Sequence, residues 1–159
     1  MKRLASHPYT TGLSLLARRE LTSTQLRDRL VKKGFTPEAV NDTIQRLIEE
    51  GALDDRRTAD IYARQAALVK HRGPRRAILD IVAIGISQDI AREVVSQTYE
   101  EVDIHLVIQR ALDRRLNGRV QNRNQFQKLY QYLVRQGFDG PLVYSVLKKR
   151  SASSTDLDE

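Results

Sequence analysis

Apolar side chains recur along this 159-residue chain at intervals of three and four, and the runs they form stop at glycines. Four residues before Gly34, Gly85 and Gly137 stand Leu30, Ile81 and Leu133, and eight before them stand Leu26, Ala77 and Leu129. That spacing puts each pair on one face of a helix whose glycine suits the left-handed position just past its C-terminus. An apolar residue follows each glycine, Phe35, Ile86 or Phe138. Next come Thr36, Ser87 and Asp139, all good N-caps, with Pro37 at the favoured first helical position. Apolar residues then resume at Val40, Ala91 and Val143, and at Ile44, Val95 and Leu147. The three glycines lie 51 and 52 residues apart, so the pattern is an internal repeat.

Each repeat opens with a further helix. Leu13, Leu16 and Ala17 share a face in the first, and Thr22 with Gln25 forms a capping box for the helix after it. Asp54-Asp55 precedes a stripe of Ala59, Tyr62, Ala63 and Ala66, and Asp103 precedes Ile104, Val107, Ile108 and Ala111. No segment alternates with period two over a strand's length; Ile81-Val82-Ala83-Ile84 reads as buried helix. The expected fold is all-α: an N-terminal segment at 1–10, three-helix repeats at 11–55, 56–101 and 102–150, and a disordered acidic tail at 151–159. A unit of about 50 residues buries little core alone, so neighbours should pack in series as an elongated body.

Composition narrows the function. Hydrophobic residues at 40% and charged residues at 30% suit a soluble fold. The chain has no cysteine, which removes disulfides, thiolate metal sites and redox pairs and makes a cytoplasmic location the default. Nothing approaches the run of about 18 apolar residues that a membrane span needs. The net charge of +7 is unevenly placed, for residues 102–150 hold ten basic against three acidic side chains, while 1–55 are nearly balanced. A basic surface favours polyanionic partners.

Catalytic chemistry finds little support. His7, His71 and His105 stand far apart, no glycine is followed by lysine as a phosphate-binding loop requires, and Asp54-Asp55 sits where a helix needs a cap. No catalytic residue, metal ligand or cofactor is assigned. Two basic stretches are the candidate binding residues. The first is Lys70, Arg72, Arg75 and Arg76 around Gly73-Pro74, which opens a helix. Arginines in a first turn oppose the helix dipole, so Arg75 and Arg76 suit a phosphate or a partner carboxylate, or else pair with acids such as Asp80 or Asp60. The second is Arg110, Arg114, Arg115 and Arg119, continuing through Arg123, Lys128 and Arg135, with Phe126, Tyr130 and Tyr132 interleaved. Such a face can follow a phosphate backbone, although Phe126, Leu129, Tyr130 and Leu133 also fit an inward stripe. A sequence-reading helix at 37–50 is disfavoured by its net charge of −3.

These residues carry a resemblance. Leu21 to Phe35, Gly51-Ala-Leu-Asp-Asp55, Tyr62-Ala63, Arg72-Gly-Pro-Arg-Arg76, Gly85-Ile86 and Lys128 to Phe138 are, in order and spacing, similar to the RecX family of regulatory proteins over about residues 10–150. The resemblance implies tandem three-helix repeats in a curved, monomeric body that binds the RecA recombinase filament. It also implies limits on filament growth, ATPase, strand exchange and coprotease activity, and so a part in recombination, DNA repair and the SOS response. The pattern departs at Thr58, near which the family usually has an aromatic residue, and this departure touches the packing between units one and two. The alternative is a sequence-independent binder of single-stranded DNA that acts by competing for DNA.

Overall fold

A computed structural model describes residues 6–151. Apart from Ser151, the expected acidic tail lies outside the described residues, as do residues 1–5. Within them the chain forms α1 (Pro8–Leu16), α2 (Ser23–Lys32), α3 (Pro37–Glu49), α4 (Asp55–Leu68), α5 (Pro74–Ala83), α6 (Gln88–Glu100), α7 (Ile104–Asp113), α8 (Arg123–Arg135) and α9 (Gly140–Lys149). No strand occurs among the described residues, and the fold is all-α.

The helix ends are set by local chemistry. Thr22 and Gln25 close a reciprocal capping box on α2, and the side chains of Thr36, Asp54, Ser87 and Asp103 accept first-turn N–H groups of α3, α4, α6 and α7. Asp139 caps α9 by position, without a side-chain bond. Gly34, Gly85 and Gly137 have φ of 93°, 95° and 96°, the left-handed conformation that ends α2, α5 and α8 alike.

Three separate cores follow the repeat. Leu26, Leu30, Val40, Ile44 and Leu47 are buried in the first, Ala77, Ile81, Ala91 and Val95 in the second, and Leu129, Leu133, Val143 and Leu147 in the third. All the strongly packed helix pairs lie within one triplet, α1–α3, α4–α6 or α7–α9. Each buried Leu, Ile or Phe removes enough apolar surface to stabilise its unit by about 1.5–3 kcal/mol. The second core rests on small side chains, Ala59, Ala63, Ala66, Ala77 and Ala91, and so gains less from burial per position.

Two local expectations are corrected. Helix α1 begins at Pro8, inside the segment read as preceding the first repeat, because the His7 ring accepts the Tyr9 N–H and Pro8 sits at the first helical position. Its inward face holds Gly12 rather than Leu13, which is exposed; a Cβ at Gly12 would stand 3.1 Å from Leu47 Cδ1, so the glycine lets α1 approach α3. Likewise, of Ile81-Val82-Ala83-Ile84 only Ile81 is fully buried, since α5 ends there.

The units are joined in series by one repeated device. The hydroxyls of Thr22 and Thr24 donate to the carbonyls of Ile84 and Gly85 at 2.7 and 3.1 Å. One unit later, the N–H groups of Gly73 and Arg75 donate to the carbonyls of Gln136 and Gly137 at 2.7 and 3.3 Å. In both cases the N-cap residue of a middle helix and the residue two beyond it take the last carbonyls of the next middle helix. Side chains add to the first junction: Asp55 accepts from the Ser23 N–H at 2.7 Å, and Arg57 pairs with Glu20 at 3.2 Å. Thr58 is fully buried here and donates to Glu20 and to the Asp54 carbonyl, so a small hydroxyl fills the place of departure from the family pattern. Among the described residues no hydrogen bond or ion pair links the first unit to the third.

Candidate functional site

The N-terminus of α5 meets the C-terminal turn of α8, and the expected basic residues collect around that meeting. Gly73 caps α5 with no side chain, and a Cβ there would overlap the Gly137 carbonyl. The positive end of the α5 dipole therefore faces the negative end of α8. The first turn of α5 is therefore not left open for an anion beneath Arg75, because the Arg75 N–H is already taken by Gly137.

The side chains nearby divide by their partners. Arg72 and Arg76 both reach Asp80, the second at 3.2 Å, so one carboxylate holds two guanidinium groups. With Arg72 and Asp80 only about a quarter exposed, that pair is part of the framework. Tyr99 fastens the same corner by donating its hydroxyl to the Arg72 carbonyl at 2.7 Å, and burial raises its pKa. Arg75 differs. It is 69% exposed and touches Asp139, itself 55% exposed, at 3.4 Å, an arrangement worth no more than about 1 kcal/mol in water. A partner's anion can replace Asp139 at small cost. Lys70 is exposed and pairs with no acid among the described residues.

The second basic stretch reaches this junction through Arg114, which donates to the carbonyls of Val69 and Lys70 at 2.8 and 3.2 Å. Arg135 ends α8 one residue before Gln136, the acceptor of the Gly73 N–H. Residues far apart in sequence are thus gathered at the seam between units two and three. Arg115 lies 4.2 Å above the Tyr132 ring and is held by it. Arg110, Arg119, Arg123, Lys128 and Arg135 are exposed and have no ion-pair partner among the described residues. Arg119 and Arg123 lie in and just beyond the long α7–α8 connection. That connection is anchored by Arg150, whose guanidinium donates to the Gly118 carbonyl at 3.0 Å and pairs with Asp113 at 3.1 Å.

Sequence reasoning missed the exposed face of α9. Leu129 and Leu133 are core, and Phe126 and Tyr130 pack partly against them, as the inward stripe required. Tyr144, by contrast, is 49% exposed, meets Phe126 edge-on with ring centroids 5.5 Å apart, and has the Lys148 ammonium 5.6 Å from its ring. Gln127 and Gln131 complete a shallow groove with these rings. The signal was present in the spacing, since Tyr144 is one position off the buried stripe of Val143 and Leu147.

The fold and this surface define a class: a tandem three-helix repeat protein that presents a cationic seam, with no cluster of three metal-ligating side chains among the described residues. No helix is long and apolar enough to cross a membrane among the described residues. Residues 9–47 match the family model for the first three-helix domain of RecX. A regulatory protein RecX of Thermotoga sp. (strain RQ2) is 34% identical over 145 residues, covering 91% of this chain and 85% of the relative. That of Halorhodospira halophila is 30% identical over 149 residues, covering 93% and 88%. The crystal structure of RecX from Lactobacillus salivarius has the same fold, with a TM-score of 0.69 at 20% identity over 89% of this chain and 93% of that one. The chain belongs to the RecX family of regulatory proteins.

Proposed function

We propose that this chain regulates the RecA recombinase by binding the RecA filament on single-stranded DNA, and that it restrains filament growth, ATP hydrolysis, strand exchange and coprotease activity. The observation that carries the reading is the charge of units two and three. Arg110, Arg119, Arg123, Lys128 and Arg135 stand without intramolecular ion pairs among the described residues, close in sequence or space to a seam where Arg75 is loosely held. A filament offers carboxylates and phosphates repeated along its length, so several weak contacts made at once become avid and salt-sensitive. Arg114 and Arg115 are held by contacts within the chain and fix the shape of this surface, Lys70 adds an exposed cation, and Asp80 masks the charges of Arg72 and Arg76.

The test is DNA-dependent ATP hydrolysis by RecA with this chain added below stoichiometry. Inhibition is expected, and it is expected to weaken in an Arg75→Glu, Arg119→Glu, Arg123→Glu variant, whose residues lie outside the Asp80 cluster. Full inhibition by that folded variant rejects the assignment of the surface. No effect of the wild-type chain on RecA rejects the reading itself.

The groove of Phe126, Tyr130 and Tyr144 beside Lys148 favours a second reading, single-stranded DNA binding in which bases stack on the rings. Retention of the chain on RecA in the absence of DNA separates the two, because competition for DNA alone gives none.

A further inference from the structure

The inter-unit device has two halves, and the first unit carries a copy of one half that nothing fills. The acceptor half is the last two carbonyls around a left-handed glycine, Ile84-Gly85 on Thr22 and Thr24, and Gln136-Gly137 on Gly73 and Arg75. The matching pair in unit one is Lys33-Gly34, in the same conformation at φ 93°. Neither of its carbonyls accepts a hydrogen bond among the described residues. A Cβ at Gly85 or Gly137 would collide with the docked helix, at Thr24 and at Arg76, whereas one at Gly34 meets nothing within 4 Å. Around it Val31 is 49% exposed, and Lys32 and Lys33 face solvent.

A second copy of this chain does not supply the missing half. The N-termini of α2 and α5 are occupied. Helix α8 starts farther ahead of its glycine, with Asn122 capping 15 residues before Gly137, where Thr22 and Gly73 cap 12 residues before theirs. Its cap, Asn122, is neither the hydroxyl nor the glycine that the two docked turns carry. The series therefore leaves an unmatched acceptor in its first unit.

We infer that the Lys33-Gly34 turn is a docking knob for the first turn of a helix in the partner protein. That turn has a hydroxyl or glycine N-cap, like Thr22 or Gly73, and acidic residues facing Lys32 and Lys33. Hydrogen bonds and opposed helix ends make the contact, as they do twice inside the chain. The inference rests on the reading that RecA is the partner, and places this contact at the opposite end of the chain from the basic seam.

The experiment compares binding of the wild type, Gly34→Asn and Gly51→Asn to RecA filaments on single-stranded DNA. Asn tolerates left-handed backbone, and Gly51 is a matched control, with φ 75° and equally open space. Gly34→Asn is expected to bind at least about tenfold more weakly, Gly51→Asn within about twofold of wild type, and both to melt alike. A photoreactive benzoylphenylalanine in place of Lys33 is expected to cross-link to the first turn of a RecA helix. Equal affinities of the two variants, or a cross-link elsewhere, overturn the docking inference while leaving RecA binding intact. Wild-type self-association that Gly34→Asn abolishes also overturns it. Absence of any wild-type binding to RecA overturns the functional reading, and the named occupant with it.

Discussion

The N–H of Arg75 donates to the carbonyl of Gly137 across 62 positions of chain, and this bond decides what the arginine's side chain is for. Because the Gly73 and Arg75 N–H groups are already satisfied, the guanidinium is left to project from the seam. Its only acidic neighbour among the described ion pairs is the half-exposed Asp139.

Gly73→Ala tests whether that seam needs main-chain approach. Gly73 has an ordinary φ of −81°, so alanine strains nothing locally, but its methyl group would overlap the Gly137 carbonyl. A loss of about 1–3 kcal/mol in urea unfolding is expected, as for other forced overpacking. Wild-type stability in this variant would show that the junction yields freely.

Asp80→Asn separates framework from surface among the arginines. The substitution removes the charge that holds Arg72 and Arg76. Stability should fall by about 1–2 kcal/mol, the scale of a charged hydrogen bond. Binding to filaments at low salt should strengthen as two cations are released. Weaker binding would instead mean that the pairs shape the surface more than they mask it.

Arg119→Gln with Arg123→Gln addresses contact with nucleic acid. If both side chains meet phosphates of bare single-stranded DNA, the slope of log affinity against log salt should fall by about 1.4. An unchanged slope assigns them to protein carboxylates or to solvent.

A fourth prediction concerns the first unit in acid. Tyr9 donates its hydroxyl to Glu50, Arg46 pairs with the same carboxylate at 2.9 Å, and the Arg46 guanidinium lies 3.7 Å above the Tyr9 ring. These bonds, the tyrosine's first, hold the Glu50 pKa below its ordinary value. A carboxyl whose pKa is depressed by folding stabilises the native state above its unfolded pKa of about 4.3, and loses that contribution as pH falls through the lower folded value. Glu50→Gln should therefore flatten the acid limb of the melting-temperature profile below about pH 4.3 while lowering stability at neutral pH. A profile parallel to wild type would remove Glu50 from this role.

Much of the architecture was legible because it rests on local rules. The residues four and eight before each glycine are all buried, and Thr36, Ser87, Asp54 and Asp103 cap where the pattern placed them. Leu13 was misjudged as facing inward because Gly12, which does face α3, looks like a gap in a hydrophobic stripe, and only the neighbouring helix explains it. The binding surface was half legible. Its cations were visible, but whether each is free depends on acids brought near by folding: Asp80 lies one turn beyond Arg76, while Asp139 comes from a different unit. Arg114 shows the same limit, since its acceptors are carbonyls 44 and 45 positions away.

The two bonds from Gly73 and Arg75 to Gln136 and Gly137 join units two and three through peptide groups, which every residue but proline carries in full. Mutation can rewrite the decorations on either side of such a hinge and leave its angle untouched, provided the glycines stay. A regulator built this way is free to drift in surface chemistry alongside its target while the pose of its modules is inherited almost unaltered. The persistence of the fold in a crystal structure at 20% identity is the outcome expected of that division of labour.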